Sequence, residues 1–134
     1  MAERTTKEIL TKYRTIAVVG CSKDPGKDAH TVPAYMQAHG YRIIPVNPTA
    51  TEILGEKAYP NLAAVPDSYD LVDIFRPSDQ LEPIVDEAIR AGKAKVIWMQ
   101  LGIANEAAAA KARAAGLQVV MDRCLRTEHQ FHVA

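Results

Sequence analysis

The reading of the fold turns on Ile16-Ala17-Val18-Val19-Gly20-Cys21-Ser22-Lys23-Asp24-Pro25-Gly26-Lys27-Asp28-Ala29-His30-Thr31. A short apolar, β-branched run meets a glycine. A polar loop with Pro25, Gly26 and two lysines follows, and Thr31-Val32-Pro33 is set to open a helix. This is the strand–loop–helix start of a nucleotide-binding α/β unit. Thr31 is a good N-cap, Pro33 suits a first turn, and Gly40 supplies a stop, so the spacing predicts a helix over 32–39.

The alternation continues on both sides. Thr5 or Thr6 can cap a first helix carrying Ile9, Leu10 and Tyr13. Residues 15–20 and 41–46 read as the first and second strands. Pro45 cannot donate to a ladder, so it belongs at a strand end or an unpaired position. Residues 47–60 read as loop with at most a short strand near 56–58, and 61–65 as one helical turn. A third strand spans 69–75. Asp73 interrupts its apolar pattern, which suits an edge strand or the polar end of one. Leu81, Ile84, Val85, Ala88 and Ile89 repeat at helical spacing, with Pro83 in the first turn. Residues 95–99 form a fourth strand. Asn105 caps an alanine-rich helix ending before Gly116. Residues 117–121 form a fifth strand, and the tail adds a helical turn. Together these predict one α/β domain over 1–134: a Rossmann-like open parallel sheet of about five strands, order 3-2-1-4-5, with helices on both faces.

Composition narrows the function classes. The 134 residues are 48% hydrophobic and 24% charged, with 16 basic against 16 acidic side chains. A neutral chain lacks the basic excess of a general nucleic-acid binder. No apolar run approaches the roughly 20 residues of a membrane span. The start, Met1 to Lys7, lacks the apolar core of a signal peptide. Cys21 and Cys124 are too few for a disulfide framework, so the expectation is a reduced, cytoplasmic protein. A homo-oligomer or a protein partner is left open by the sequence.

In open parallel sheets ligands sit beyond the carboxyl ends of the strands. Five segments are expected to meet there: 20–31, 46–48, 75–76, 100–102 and 121–124. The loop fits neither common nucleotide motif. Against G-x-G-x-x-G it keeps Gly20 but has Ser22 and Pro25 at the other glycine positions. The second strand ends in Val46-Asn47-Pro48 rather than the acid that holds a ribose in NAD sites. Against the Walker A pattern, Gly20 and Gly26-Lys27 are one residue too far apart, and Asp28 replaces the Mg²⁺-binding hydroxyl. An anion site still remains. Amides at a helix start favour a phosphate; Thr31, Val32 and the preceding His30 are candidate donors, and Lys23 and Lys27 can add charge.

At this point the sequence resembles the small stand-alone CoA-binding proteins, which are similar to the N-terminal CoA-binding domain of the succinyl-CoA synthetase α-subunit. The matching stretches include Val18-Val19-Gly20-Cys21-Ser22, Gly40-Tyr41-Arg42-Ile43-Ile44-Pro45-Val46-Asn47-Pro48 and Glu52-Ile53-Leu54-Gly55-Glu56-Lys57. They continue with Val72-Asp73-Ile74-Phe75-Arg76, Trp98-Met99-Gln100-Leu101-Gly102 and Met121-Asp122-Arg123-Cys124. The resemblance implies CoA or acyl-CoA across the carboxyl edge. It places the phosphates on Gly20, Cys21, Ser22 and the Thr31 helix start. Val46, Asn47 and Pro48 would line the adenosine side, and Phe75, Arg76, Gln100 and Leu101 the adjoining wall. An uncharged Asn47 also tolerates the 3′-phosphate of CoA, which an acid would repel. Nothing here matches the phosphohistidine loop of the synthetase, so ligase activity is not carried over, and the expected role is carrier, sensor or regulator.

Other chemistry is thin. Cys21 lies beside a helix start able to lower a thiol pKa, which keeps a thiol or redox reading alongside that of an NAD(P)-linked oxidoreductase with a degenerate loop. Asp122, Cys124 and His129 resemble an orienter, nucleophile and base only on paper; Asp122-Arg123 reads better as an ion pair closing the fifth strand. No catalytic residue is assigned. His30 and His39 lie on separate turns, and no metal site is read. Trp98 and Tyr35 read as core aromatics.

Overall fold

The computed structural model describes residues 4–134; Met1 to Glu3, the start of the segment read for a signal peptide, lie outside the described residues. Five parallel strands form the main sheet: β1 (Thr15–Val19), β2 (Arg42–Val46), β5 (Leu71–Ile74), β6 (Val96–Met99) and β7 (Gln118–Val120). A two-stranded hairpin, β3 (Glu52–Ile53) and β4 (Glu56–Lys57), stands apart. Its Leu54-Gly55 turn has positive φ at both residues, as a tight hairpin requires. The helices are α1 (Thr6–Lys12), α2 (Asp28–Ala38), α3 (Leu81–Ala91), α4 (Glu106–Ala114) and α5 (Leu125–His132). Leu62–Ala64 form a short 3-10 turn capped by Asn61.

The fold class is the expected one, but the strand order is not. The sheet runs β2-β1-β5-β6-β7, which is 2-1-3-4-5 counted along the chain, not 3-2-1-4-5. The third strand pairs directly with the first, Ile16 opposite Leu71 and Val19 opposite Ile74. Two residues, a proline and an aspartate, explain the difference. Pro45 marks the true edge: its carbonyl faces away from β1 and accepts from the Tyr59 amide at 3.0 Å, so its missing N–H also faces outward. Asp73, read as an edge marker, instead sits mid-sheet between Val18 and Trp98 with no exposed surface.

Side chains alternate across the sheet. Ala17, Val72, Ile74, Ile97 and Met99 face α3 and α4. Ile16, Val18, Leu71, Val96 and Trp98 face α1, α2 and α5. The predicted stripe of α3 packs inward through Leu81, Val85 and Ala88, with Ile84 and Ile89 flanking. Alanines 108, 109 and 112 let α4 lie close against the sheet and α3. Thr5 completes a capping box with Glu8 on α1, and the Asn105 side chain caps α4 through the Ala108 amide at 2.9 Å. Among the described residues no helix is long and apolar enough to cross a membrane.

One helix departs from its reading. α2 begins at Asp28, with Lys27 at the N-cap position and no side-chain cap, so Thr31 is not the cap. Pro33 is then the sixth helical residue rather than one of the first turn.

Neither oxygen of Asp73 has a hydrogen-bond partner. Burial, with a smaller contribution from nearby Cys124, pushes its carboxyl well above the usual range and favours the protonated form. A carboxyl raised this way holds its proton more tightly when folded. Its contribution to stability is therefore full below about pH 4 and is lost as pH rises through the raised folded value. Asp73→Asn should remove that loss, so its stability relative to wild type should rise between about pH 4 and pH 7 in urea melts. A difference that is the same at both pH values would contradict a titrating Asp73.

Candidate functional site

With order 2-1-3-4-5, the strand order reverses between β1 and β5, and a crevice is expected beyond their carboxyl ends. A cavity of about 870 Å³ lies there. That is within the usual ligand-pocket range of about 300–1,000 Å³. A second groove of the same volume lies at the amino edge, lined by Tyr13, Lys95 and Gln118 among others.

Gly20 forms the floor of the crevice. Its φ is +87°, its N–H donates to the Val46 carbonyl of β2 at 3.0 Å, and a Cβ added there would lie 2.8 Å from the Phe75 carbonyl oxygen. Only glycine meets both demands. From here the chain leaves as Cys21 and Ser22, which line the cavity with Lys27. The Asp24 side chain accepts from the Gly26 amide at 2.9 Å and shapes the turn into α2. α2 has no side-chain cap, but the Lys27 carbonyl already takes the His30 and Thr31 amides at 2.9 and 3.0 Å, so the donors left at this helix start are the amides of Asp28 and Ala29 rather than those expected at His30 and Thr31. Arg76 lies over Gly20, and its Nη2 donates to Gln80 Oε1 at 2.7 Å.

Nine of the sequence-read residues line this cavity. Gly20, Cys21, Ser22 and Lys27 come from the first loop, Val46, Asn47 and Pro48 from the second, and Phe75 and Arg76 from the third. Lys23, His30, Thr31, Val32, Gln100 and Leu101 do not line it. Lys23 is exposed and Val32 is core. His30 binds the Ser22 carbonyl through Nδ1 at 2.7 Å, and the Thr31 hydroxyl accepts from Arg126 at 3.4 Å. Gln100 is buried and accepts the Leu125 amide at 3.1 Å, while Leu101 is 69% exposed. The five expected segments thus divide. Residues 100–102 and 121–124 meet each other instead, through Gly102 N to Asp122 Oδ1 at 2.6 Å and Arg123 N to the Met99 carbonyl at 3.2 Å. The cause is the strand order: β5 stands between β1 and β6.

The same cause hid one wall. Asp79 and Gln80, from the 3-10 turn before α3, and Pro83, Ile84 and Glu87 of α3 line the cavity, and so do Pro60 and Asn61. An α3 following a central third strand borders the reversal point, whereas an α3 following an edge strand would not.

The side chain of Asn47 is committed to backbone. Its Nδ2 donates to the Cys21 carbonyl at 2.9 Å, and its Oδ1 accepts the Thr49 and Ala50 amides at 2.9 and 3.0 Å. The Cys21 thiol is fully buried, and burial, followed by the neighbouring Asp73, pushes its pKa up to about 12. The helix start therefore does not activate it. The paper triad also separates: His129 Nδ1 pairs with the Tyr35 hydroxyl at 2.8 Å, and Arg123 pairs with Glu128 at 3.5 Å rather than with Asp122. Among the described residues no three His, Cys, Asp or Glu converge as metal ligands would.

The family described as the CoA binding domain matches residues 14–130. The chain belongs to this family. It is 42% identical over 123 residues to the uncharacterized protein YneT of Bacillus subtilis, covering 92% of this chain and 90% of that one. A hypothetical protein from Pyrococcus horikoshii superposes with a TM-score of 0.92 at 39% identity, over the full length of both chains. The ADP-forming acetate–CoA ligase II of Archaeoglobus fulgidus is 28% identical over 95 residues, 69% of this chain but only 14% of the ligase. The CoA-binding-domain resemblance read from the sequence is thus confirmed.

Two outcomes test this geometry. Gly20→Ala should lose at least about 1–2 kcal/mol in chemical denaturation, because the left-handed backbone alone costs that much; a variant as stable as wild type would mean that Phe75 moves aside freely. Alkylation of the native protein at pH 8 should label the half-buried Cys124 and spare Cys21 until the chain unfolds, as read by mass spectrometry.

Proposed function

We propose that the protein binds coenzyme A or an acyl-CoA in the crevice at the carboxyl ends of β1, β2 and β5, without turning it over. The observation that carries this reading is the charge of the crevice around Gly20. Lys27 and Arg76 line it beside the uncapped start of α2; its two carboxylates, Asp79 and Glu87, come from the segment after β5, and the end of β2 presents none. An anion carrying phosphates near a ribose suits that arrangement, whereas a dinucleotide site uses an acid at this strand end.

Gly20, Cys21, Ser22 and Lys27 form the phosphate end. Val46, Pro48, Phe75 and Ile84 supply apolar surface for the adenosine and for the arm leading to the thiol. Lys23, at the loop's exposed tip, adds to the positive potential from outside the cavity. The case for binding without catalysis rests on the lining. Its thiol is locked in the protonated form, and the Glu87 carboxylate holds the Leu62 amide at 2.8 Å. A carrier, sensor or regulator of CoA status fits such a site. Free cysteines at 21 and 124 fit a reducing, cytoplasmic setting.

Calorimetric titration decides among ligands. CoA should bind, dephospho-CoA should bind less tightly, and NADH should give no heat. Absence of heat with CoA at millimolar concentration refutes the reading. Binding of NADH with quenching of its fluorescence would move the assignment to a nicotinamide cofactor.

A further inference from the structure

Residues Cys21 and Ser22 are held at three successive backbone groups by partners outside the loop. The Cys21 carbonyl accepts Asn47 Nδ2 at 2.9 Å. The Ser22 amide donates to the Ala29 carbonyl at 3.1 Å. The Ser22 carbonyl meets His30 Nδ1 at 2.7 Å, and since a carbonyl only accepts, that nitrogen carries the proton. The middle contact depends on Pro33. In a regular helix residue 33 donates to the carbonyl four residues back, which is Ala29. Proline has no N–H, so the Ala29 carbonyl is left for the Ser22 amide. Asn47 is oriented from its other end, where Oδ1 takes the amides of Thr49 and Ala50.

We infer that Asn47, His30 and Pro33 are positioning residues that set the loop at 20–22 in its ligand-receiving shape before any ligand arrives. They act through the backbone rather than by touching the anion. Two carbonyls turned onto Asn47 and His30 do not present their lone pairs to a phosphate. A loop already ordered costs less entropy when a ligand binds. For affinity, the inference rests on the CoA reading of this crevice; the loop's own order does not.

Amide hydrogen exchange, followed residue by residue by NMR on the ligand-free protein, tests the clamp directly. Asn47→Asp keeps an acceptor for Thr49 and Ala50 but loses the donor to Cys21. It should speed exchange at Ser22 while the Thr49 and Ala50 amides stay protected. His30→Ala should speed Ser22 as well. Pro33→Ala discriminates most sharply, because it returns an N–H to the helix and takes the Ala29 carbonyl back. Ser22 exchange should then rise about tenfold with no fall in the thermal midpoint. His30→Ala and Pro33→Ala should also weaken CoA binding by about three- to tenfold. The ratio of CoA to dephospho-CoA affinity should remain that of wild type. Unchanged Ser22 exchange in all three variants, or a collapse of that ratio, overturns the inference. If the wild-type protein binds neither ligand, the CoA reading falls and Ser22 exchange alone decides the clamp.

Discussion

The molecule depends on the close approach of two strand ends at Gly20. β1 stops there because the next residue must turn with a φ that side chains resist, and because the Phe75 carbonyl occupies the place of a Cβ. β2 is tied in by the Val46 carbonyl. Three strand ends are thus fixed relative to one another by one residue without a side chain. The opening of the crevice, the exit direction of the loop and the placement of α2 follow from that junction. A larger residue would separate β1 from β5 at the point where the sheet order reverses.

Beneath the junction the chemistry is quiet. Cys21 and Asp73 are both buried, and burial above all favours the neutral form of each, with Asp73 adding to the shift of Cys21 and Cys124 to that of Asp73. The charged side chains Lys27, Arg76, Asp79 and Glu87 line the crevice above, where water and ligand reach them. This layering keeps the Cys21 thiol and the Asp73 carboxyl out of water. It also explains why a cysteine beside a helix start is not a nucleophile here: desolvation outweighs the helix dipole.

Much of this was legible in the sequence. The run 16–19 followed by Gly20, the stripe of α3 and the Asn105 cap each carry a local signal, and each formed where its periodicity or hydrogen-bonding chemistry directs. The order of the strands was harder to read, because it depends on a proline and an aspartate whose meanings compete. Pro45 signals an edge and Asp73 resembles one. The proline constraint is absolute, since it cannot donate, whereas a carboxyl can enter a core by keeping its proton. Giving Pro45 priority would have put β5 beside β1, α3 against the crevice, and Gln100 outside it. The role of Asn47 was hidden for another reason. A side-chain amide that satisfies two loops at once has no spacing rule, because its partners at 21 and at 49–50 meet only in the folded chain.

The outer border of the sheet carries a last consequence. Beyond β2 the residues at 58–59 lie alongside, Tyr59 takes the Pro45 carbonyl, and Asn47 in turn donates to Tyr59. The proline offers no amide to an incoming strand. At the opposite border β7 is only three residues long. Neither side presents the long unpaired ladder on which chains add to one another as fibrils grow. Growth of one sheet onto another is therefore disfavoured at both borders, even though five strands of its backbone are flanked by apolar side chains.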